Sequence, residues 1–325
     1  MVMTKMKMNG KVLLAAIFGL VAVLAVCVQS VQQTAKTSET NMAQNASVIN
    51  SLQESAKDWQ VNNHVHGLAV NPSNPNILYI ATHNGLVQRS ETGQWLWMQP
   101  EKERADYMGF TADPSSPYRF YASGHPHTGG NLGFQVTEDQ AKSWKQLSMP
   151  GVDFHALAIA PSNPAMFYGY PASGAEGLQI STDGGNSWKS TRMERLEDHP
   201  FNLVVDPKNA DHVYAVTRSG LYESRDRGER WTLLPATQNA PVVGLALQTE
   251  VNKTVVYAYQ ASESAPGIYR SLDEGKTWEK WGVGTSGLIL YLAIAPSNPQ
   301  LFYAVNQNNV VFQSQDGGKN WKELG

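Results

Sequence analysis

Short apolar-rich runs separated by Gly- and Pro-bearing turns dominate the chain from residue 64 onwards. "HVHGLAV" (64–70) and "GLQIS" (177–181) alternate with a period of two, which is typical of half-buried β-strands. In the first run this period places His64 and His66 on the same side of the strand as Leu68. The pattern predicts an all-β domain built from many short strands.

Three landmarks recur along this region with one common spacing. A turn closed by tryptophan occurs six times, as "SETGQW" (90–95), "TEDQAKSW" (137–144), "STDGGNSW" (181–188), "SRDRGERW" (224–231), "SLDEGKTW" (271–278) and "SQDGGKNW" (314–321). Its tryptophans are 43 to 49 residues apart. A tyrosine repeats in step with it, at Tyr79, Tyr121, Tyr168, Tyr214, Tyr257 and Tyr303. A Pro- and Asn-rich turn such as "APSNP" (160–164) precedes five of the six tyrosines, and the fifth unit has "TEVNK" (249–253) instead.

Each repeat therefore contains four strands, here called A to D. In the third repeat these are "DFHALAI", "AMFYGYP", "GLQIS" and "WKST". Four antiparallel strands in about 45 residues is the period of a propeller blade, and stacked blades bury each other's faces. The sequence predicts a six-bladed β-propeller.

The tryptophan turns resemble the Asp-box, the S-x-D-x-G-x-x-W signature of BNR repeats in sialidases, sortilin-type receptors and photosystem-assembly propellers. Four copies are complete, and two, at 90–95 and 137–144, are degenerate. The aspartates are expected to accept backbone N–H bonds within their own turns, a structural role. They lack the alternating oxygen ligands of a calcium loop. They are Asp183, Asp226, Asp273 and Asp316.

The N-terminus is typical of a targeting segment. Lys5, Lys7 and Lys11 precede an uncharged apolar run from 12 to 28, so the rest of the chain is expected to be exported. The run is long for a signal-peptide core and short for a spanning helix. Cleavage and retention as a membrane-contacting anchor both stay open, and lipidation at Cys27 is disfavoured because Val26 is not small. The predicted organisation is a targeting segment (1–30), a polar stalk (31–58) and the propeller (59–325), in a periplasmic or extracellular location.

Composition removes several classes of function. The net charge is −3 and only 16 % of residues are charged, so no basic field exists to bind nucleic acid. The single cysteine, Cys27, precedes the propeller. Disulfides, thiol catalysis and cysteine-ligated metals are therefore excluded from that domain.

Seven of the eight histidines are expected at one end of the propeller. The antiparallel meander places the A–B and C–D turns at one end and the B–C loops, with the starts of strands A, at the other, here called the top face. Only His212 is expected at the bottom. The other seven are His64, His66, His83, His125, His127, His155 and His199.

Alignment of the A strands concentrates polar residues on blades 1 to 3. One level carries His66, Met108 and His155, and the level above carries His64, Asp106 and Asp153. Imidazole with thioether suits copper, and added carboxylate suits zinc. The predicted metal ligands are His64, His66, Met108, His125 and His155, with His83 and His127 as further candidates. Two alternatives stay open: buried strand histidines with Met108 as core filling, or an organic ligand held by the same histidines.

The resemblance to sialidases implies glycosyl hydrolase activity, but the residues favour a different role. The F/Y-R-I-P type arginine motif of that family is absent, and Arg104, Arg192, Arg195 and Arg218 lie in loops. Asp106 and Asp153 are candidate catalytic carboxylates for another glycosidase. Fold does not determine activity. The favoured hypothesis is a binding or assembly module whose top face takes a metal, a glycan or a protein partner, with a glycosyl hydrolase as the alternative.

Overall fold

The computed structural model describes residues 54–238, 241–251, 253–262, 264–282 and 284–325. The predicted targeting segment and most of the predicted stalk lie outside the described residues. Within those ranges the chain forms 24 strands in six four-stranded antiparallel sheets, so the predicted six-bladed β-propeller is confirmed. Among the same residues, no helix is both long and apolar enough to cross a bilayer.

Each blade consists of four consecutive strands, paired in the order in which they occur. Blades 1 to 3 contain β1 (Val65–Val70), β2 (Leu78–Thr82), β3 (Gly85–Arg89), β4 (Trp95–Trp97), β5 (Ala105–Ala112), β6 (Phe120–Pro126), β7 (Phe134–Thr137), β8 (Lys145–Ser148), β9 (Asp153–Ala160), β10 (Asn163–Ser173), β11 (Gln179–Ser181) and β12 (Lys189–Ser190). Blades 4 to 6 contain β13 (Asn202–Asp206), β14 (Asn209–Thr217), β15 (Gly220–Ser224), β16 (Thr232–Leu233), β17 (Val242–Thr249), β18 (Thr254–Gln260), β19 (Gly267–Ser271), β20 (Glu279–Lys280), β21 (Ile289–Ala295), β22 (Asn298–Asn306), β23 (Val311–Ser314) and β24 (Lys322–Leu324). Two short 3-10 turns, Glu101–Glu103 and Pro235–Thr237, complete the regular structure of the described residues.

The A–B and C–D turns lie at the same end of each blade. The Gly184 N–H donates to the Ala165 carbonyl at 2.8 Å, which joins the C–D turn of blade 3 to its A–B turn. The Gly317 N–H makes the equivalent bond to Gln300 in blade 6 at 2.9 Å. The B–C loops therefore lie at the opposite end, the top face.

The hydrophobic core lies between neighbouring blades. The described residues form six apolar clusters, and each joins two adjacent blades, including blade 6 to blade 1. Between blades 2 and 3, Phe134 and Phe167 are fully buried and pack against Trp188. One sheet cannot cover its own faces, so each blade depends on its neighbours for burial.

The repeating tyrosines connect successive blades. The Tyr168 hydroxyl donates to the Ala210 carbonyl of blade 4 at 2.7 Å. The Tyr303 hydroxyl donates across the ring closure, from blade 6 to the Pro75 carbonyl of blade 1, at 2.8 Å. The apolar ring fills the core while its polar tip bonds to the next blade, which explains why tyrosine rather than phenylalanine recurs.

The aspartate of the turn at 181–188 holds its own loop together. Asp183 accepts the Ser187 N–H at 2.9 Å, and the Ser181 hydroxyl at 2.8 Å. The Ser181 hydroxyl in turn accepts the Gly185 N–H at 2.9 Å. The Ser187 and Ser181 hydrogen bonds lower the pKa of Asp183 to about 2. The same side-chain and backbone bonds recur around Asp226, Asp273 and Asp316.

Residues 54–63 close the ring. Ser55 pairs with Leu96 of the outermost strand of blade 1, so residues assigned to the stalk extend this blade. Trp59 is 2 % exposed and packs in the cluster shared by blades 6 and 1. The Asn309 side chain of blade 6 donates to the Asn63 carbonyl at 2.8 Å. A short N-terminal segment thus seals the junction between the first and last blades.

A buried ion-pair cluster at the bottom of blade 4 predicts a pH-dependent contribution to stability. Nδ1 of His212 lies 3.3 Å from Asp206, and Nε2 lies 3.0 Å from Glu223. Burial lowers the pKa of His212, but the hydrogen bonds to Asp206 and Glu223 outweigh it and leave the pKa raised. Protonation therefore favours the folded state, and this contribution is complete below the unfolded-state pKa of about 6.5 and lost as pH rises through the folded-state value.

We expect His212→Gln to lower the free energy of unfolding by about 1–3 kcal/mol at pH 6, because the buried Asp206 and the half-buried Glu223 lose the imidazolium that lies between them. The difference from wild type should shrink as pH rises above 6.5. Urea unfolding of both proteins between pH 5.5 and 8.5 measures it. A difference that grows with pH would contradict the assignment.

Candidate metal centre

Six side chains from blades 1 to 3 converge on the top face as two triads of potential metal ligands. Within each triad, one ligand atom from each residue lies within 4.8 Å of the others. Triad 1 consists of His66, His83 and Asp106, and triad 2 consists of His125, Asp153 and His155. The predicted convergence of blades 1 to 3 is present in the structure, and metal binding itself stays a prediction.

Triad 1 is built around the carboxylate of Asp106, which is 3 % exposed. Nδ1 of His83, in the turn between β2 and β3, lies 2.5 Å from Oδ2 of Asp106. Nε2 of His66 lies 3.4 Å from Oδ1. The strand of blade 2 therefore presents its carboxylate to two histidines of blade 1.

Triad 2 is built around Asp153, which is 4 % exposed. Nε2 of His155 lies 2.8 Å from Oδ2 of Asp153, and Nε2 of His125 lies 3.6 Å from the same oxygen. The other nitrogen of His125, Nδ1, lies 3.6 Å from Oδ2 of Asp106. Asp106 and His125 are directly paired across β5 and β6, so His125 stands between the two triads.

Three buried polar atoms of the triads lack a hydrogen-bond partner among the described residues: Nε2 of His66, Oδ1 of Asp106 and Oδ1 of Asp153. His66 and Asp106 are close enough to interact but lack hydrogen-bond geometry. Buried polar atoms are normally paired, and an exception calls for a cause such as an ion. Nε2 of His66 and Oδ1 of Asp106 both offer lone pairs and lie 3.4 Å apart, an arrangement that a cation between them would satisfy.

β-bulges position these side chains. In β1 the register shift leaves His66 as the extra residue, and in β9 it leaves His155. A third bulge, between Asp106 and Gly109 of β5, contains Met108. Blades 5 and 6 bulge at the same level. Bulges redirect side chains and are enriched next to functional sites. The alternation of side chains along β1 is therefore interrupted at His66, where the strict period of two expected from the sequence does not hold.

His66 is uncharged at neutral pH. Burial lowers its pKa to about 4, against the opposing effect of Asp106 and with smaller contributions from His83 and His155. A neutral imidazole keeps the lone pair that a metal requires.

The other predicted ligands lie near members of the triads. The rings of His64 and His127 lie 6.5 Å and 6.4 Å from that of His83, between centroids. Met108 lines a neighbouring cavity together with His66 and His155. Of the five principal predicted ligands, the structure brings His66, His125 and His155 into the triads.

His83 takes a more central place than the sequence predicted. It was a secondary candidate because a B–C loop position reveals nothing about direction. The available signal was its place in the β2–β3 turn, at the end of blade 1 that also carries His64, whose carbonyl accepts the His83 N–H at 3.0 Å.

A cavity of about 480 Å³ adjoins both triads. His66 and His155, one from each triad, line it together with Met108, Tyr291 and the His199–Tyr170 pair. Neither Tyr170 nor Tyr291 was predicted as a site residue. Small molecules can therefore approach the triads from this side.

Two of the loop arginines are occupied elsewhere. Arg104 bonds to Glu54 and stacks over the Trp97 ring at 4.2 Å. Arg192 pairs with Glu229 at 3.0 Å. Neither is among the residues that line the cavity beside the triads.

Comparison with known proteins identifies the fold. No protein-family model and no curated protein matches this sequence. The chain is similar to the GH74 enzyme of Niastella koreensis, with a TM-score of 0.59 and 17 % identity over 80 % of this chain and 45 % of that one. It is also similar to the GH74 xyloglucanase of Xanthomonas campestris, with a TM-score of 0.53 and 16 % identity over 81 % and 45 %. YCF48 from Cyanidioschyzon merolae matches with a TM-score of 0.42 and 13 % identity over 67 % and 84 %.

These matches concern architecture. The chain spans less than half the length of the GH74 enzymes that it matches. At such identities the likeness extends to the fold alone. Membership of the Asp-box repeat proteins and of the sialidase superfamily stays a prediction, and the shared feature is the β-propeller.

Proposed function

We propose that this protein is an exported β-propeller that binds a transition metal, zinc or copper, in the two triads of its top face. The observation that carries the proposal is the unpaired buried pair of Nε2 of His66 and Oδ1 of Asp106, which lie 3.4 Å apart, together with the unpaired buried Oδ1 of Asp153 in triad 2. A glycan or a protein partner outside the cytoplasm is a further proposed ligand of the same face.

The donor set selects the class of metal. Four imidazoles and two carboxylates offer nitrogen and oxygen, which suit zinc and copper(II). Magnesium and calcium prefer oxygen ligands alone. Met108 lines the adjoining cavity together with His66 and His155, so its thioether lies on the side of the triads that faces this cavity.

The same geometry weighs against a glycosidase centre. A glycosidase pair needs one carboxylic acid that can protonate the leaving group and one carboxylate facing the sugar. Here Asp106 and Asp153 are almost fully buried, and each directs Oδ2 at an imidazole. Such carboxylates orient or share metal ligands.

Metal retention tests the proposal. Full-length protein incubated with zinc or copper and then desalted should retain metal, measured by elemental analysis. The double variant His66→Ala, His155→Ala removes one imidazole from each triad and should lose most of it. His199→Ala is the matched control, because it removes a top-face histidine outside the triads and should retain wild-type amounts.

Other outcomes would redirect the assignment. Equal retention by wild type and the double variant would refute the site. Turnover of chromogenic glycosides that is lost in Asp153→Asn would indicate the hydrolase. Co-purification of a membrane partner without retained metal would indicate an assembly module.

A further inference from the structure

We infer that the top face holds two metal ions, one in each triad, and that the imidazole of His125 bridges them. The inference rests on the proposed metal-binding function and adds the number of ions and their connection. It is based on the position of His125, whose two ring nitrogens lie toward different triads.

The two nitrogens of His125 serve different carboxylates. Nδ1 lies 3.6 Å from Asp106, and Nε2 lies 3.6 Å from Asp153. The lone pairs of an imidazole diverge from its ring, so one ion cannot bind both nitrogens. An ion beside each carboxylate can, with zinc–nitrogen bonds of about 2.0–2.1 Å. The ring therefore has the position of a bridge.

Each triad supplies a ligand set of its own. Triad 1 has two imidazoles and the carboxylate of Asp106 before His125 is counted, whereas triad 2 has three ligands only with His125 included. Loss of His125 should therefore affect triad 2 first. Structural zinc sites take four ligands, while open sites combine three protein ligands with water or substrate.

With two ions, each buried carboxylate has a cation of its own. Asp106 and Asp153 are buried, and within the described part of the chain both carboxylates form ion pairs with histidines only. Buried charges require compensation. Two divalent ions supply four positive charges against two carboxylates and one bridging imidazolate, whose second N–H proton passes to solvent. One ion would leave one carboxylate without a cation.

The adjoining cavity gives the two ions a shared function. His66 belongs to triad 1 and His155 to triad 2, and both line the same cavity of about 480 Å³. A small ligand with an oxygen donor that enters it would therefore meet both ions.

Copper(II) is the probe for this inference. Two copper(II) ions joined by one imidazolate couple antiferromagnetically, which weakens the EPR signal relative to the copper content. Full-length protein loaded with excess copper(II) and desalted should hold about two equivalents with a reduced spin count. His125→Ala and, separately, His155→Ala should each hold about one equivalent with a spin count equal to the copper. Asp198→Asn, which changes a charge on the same face outside both triads, should match wild type.

The outcomes separate this inference from the function on which it rests. Wild-type protein that retains no copper overturns both. About one equivalent in wild type overturns the second ion and leaves metal binding in place. Two equivalents with a full spin count, or two coupled ions in His125→Ala, overturn the bridge. Because His125→Ala could fail to fold, His155→Ala tests triad 2 without changing the bridging residue.

Discussion

Alanine in place of Gly185 is expected to lower the free energy of unfolding by about 3 kcal/mol or more. An added Cβ would lie 2.1 Å from Cε1 of Phe134, and the backbone φ of +83° already disfavours a side chain. Phe134 cannot move aside, because it is fully buried and packs against Tyr121 and Phe167. Urea unfolding followed by tryptophan fluorescence measures the loss.

Gly184 offers the matched control. Its φ is +77°, but the nearest atom to an added Cβ is 3.7 Å away, on Asn186. Gly184→Ala should lower the free energy of unfolding by only about 1 kcal/mol, the penalty for a side chain at a positive φ. Blade 2 has a side chain at both turn positions, with Gln140 as the counterpart of Gly184 at a φ of +60° and Ala141 as the counterpart of Gly185 at +64°, so positive φ alone does not require glycine at either position. Equal losses at 184 and 185 would show that the clash with Phe134 is not what makes the glycine necessary.

The six-bladed propeller could be predicted because short local motifs recur along the chain. The turns, the tyrosines and the tryptophans recur with one spacing, and each has a physical role in its own blade or at the next interface. An antiparallel meander then fixes which loops share an end without coordinates. The gathering of histidines on the top face followed from that rule alone.

The detailed site could not be predicted, because it depends on pairing between strands. A bulge leaves no reliable mark in the sequence, yet bulges at His66 and His155 set the direction of both rings. The strand alignment could not show that His83, which comes from a loop, completes triad 1 with His66 and Asp106. The alternation along the A strands predicts which residues lie at the same height in neighbouring blades. Which side chains they contact depends on how each strand pairs with its neighbour.

The ring closure was similarly undetermined. Nothing in the polar stretch before Trp59 marks it as part of the propeller. Its role comes from a contact between distant residues, where Trp59 fills the junction of blades 6 and 1. Such contacts have no local signature.

Asp106→Asn is expected to weaken zinc binding about 100-fold, the largest effect on the site from one nearly isosteric change. The Asp106 carboxylate lies within 3.6 Å of three imidazoles, those of His66, His83 and His125. Asparagine is nearly the same size as aspartate but lacks the negative charge and one acceptor oxygen. The protein should therefore still fold, while the metal loses the carboxylate that lies between the three imidazoles. Zinc titration against a competing chelator measures the change.

Asp198→Asn is the control that separates a specific ligand from a general loss of negative charge. Asp198 precedes His199 on the same face, and it accepts hydrogen bonds from Ser219 and from the His199 backbone, outside both triads. Its substitution removes the same charge and should leave zinc affinity within a factor of about 2–3, because exposed charges act weakly through water. Wild-type affinity in Asp106→Asn would exclude the carboxylate from the centre, and parallel losses in both variants would reduce its role to long-range attraction.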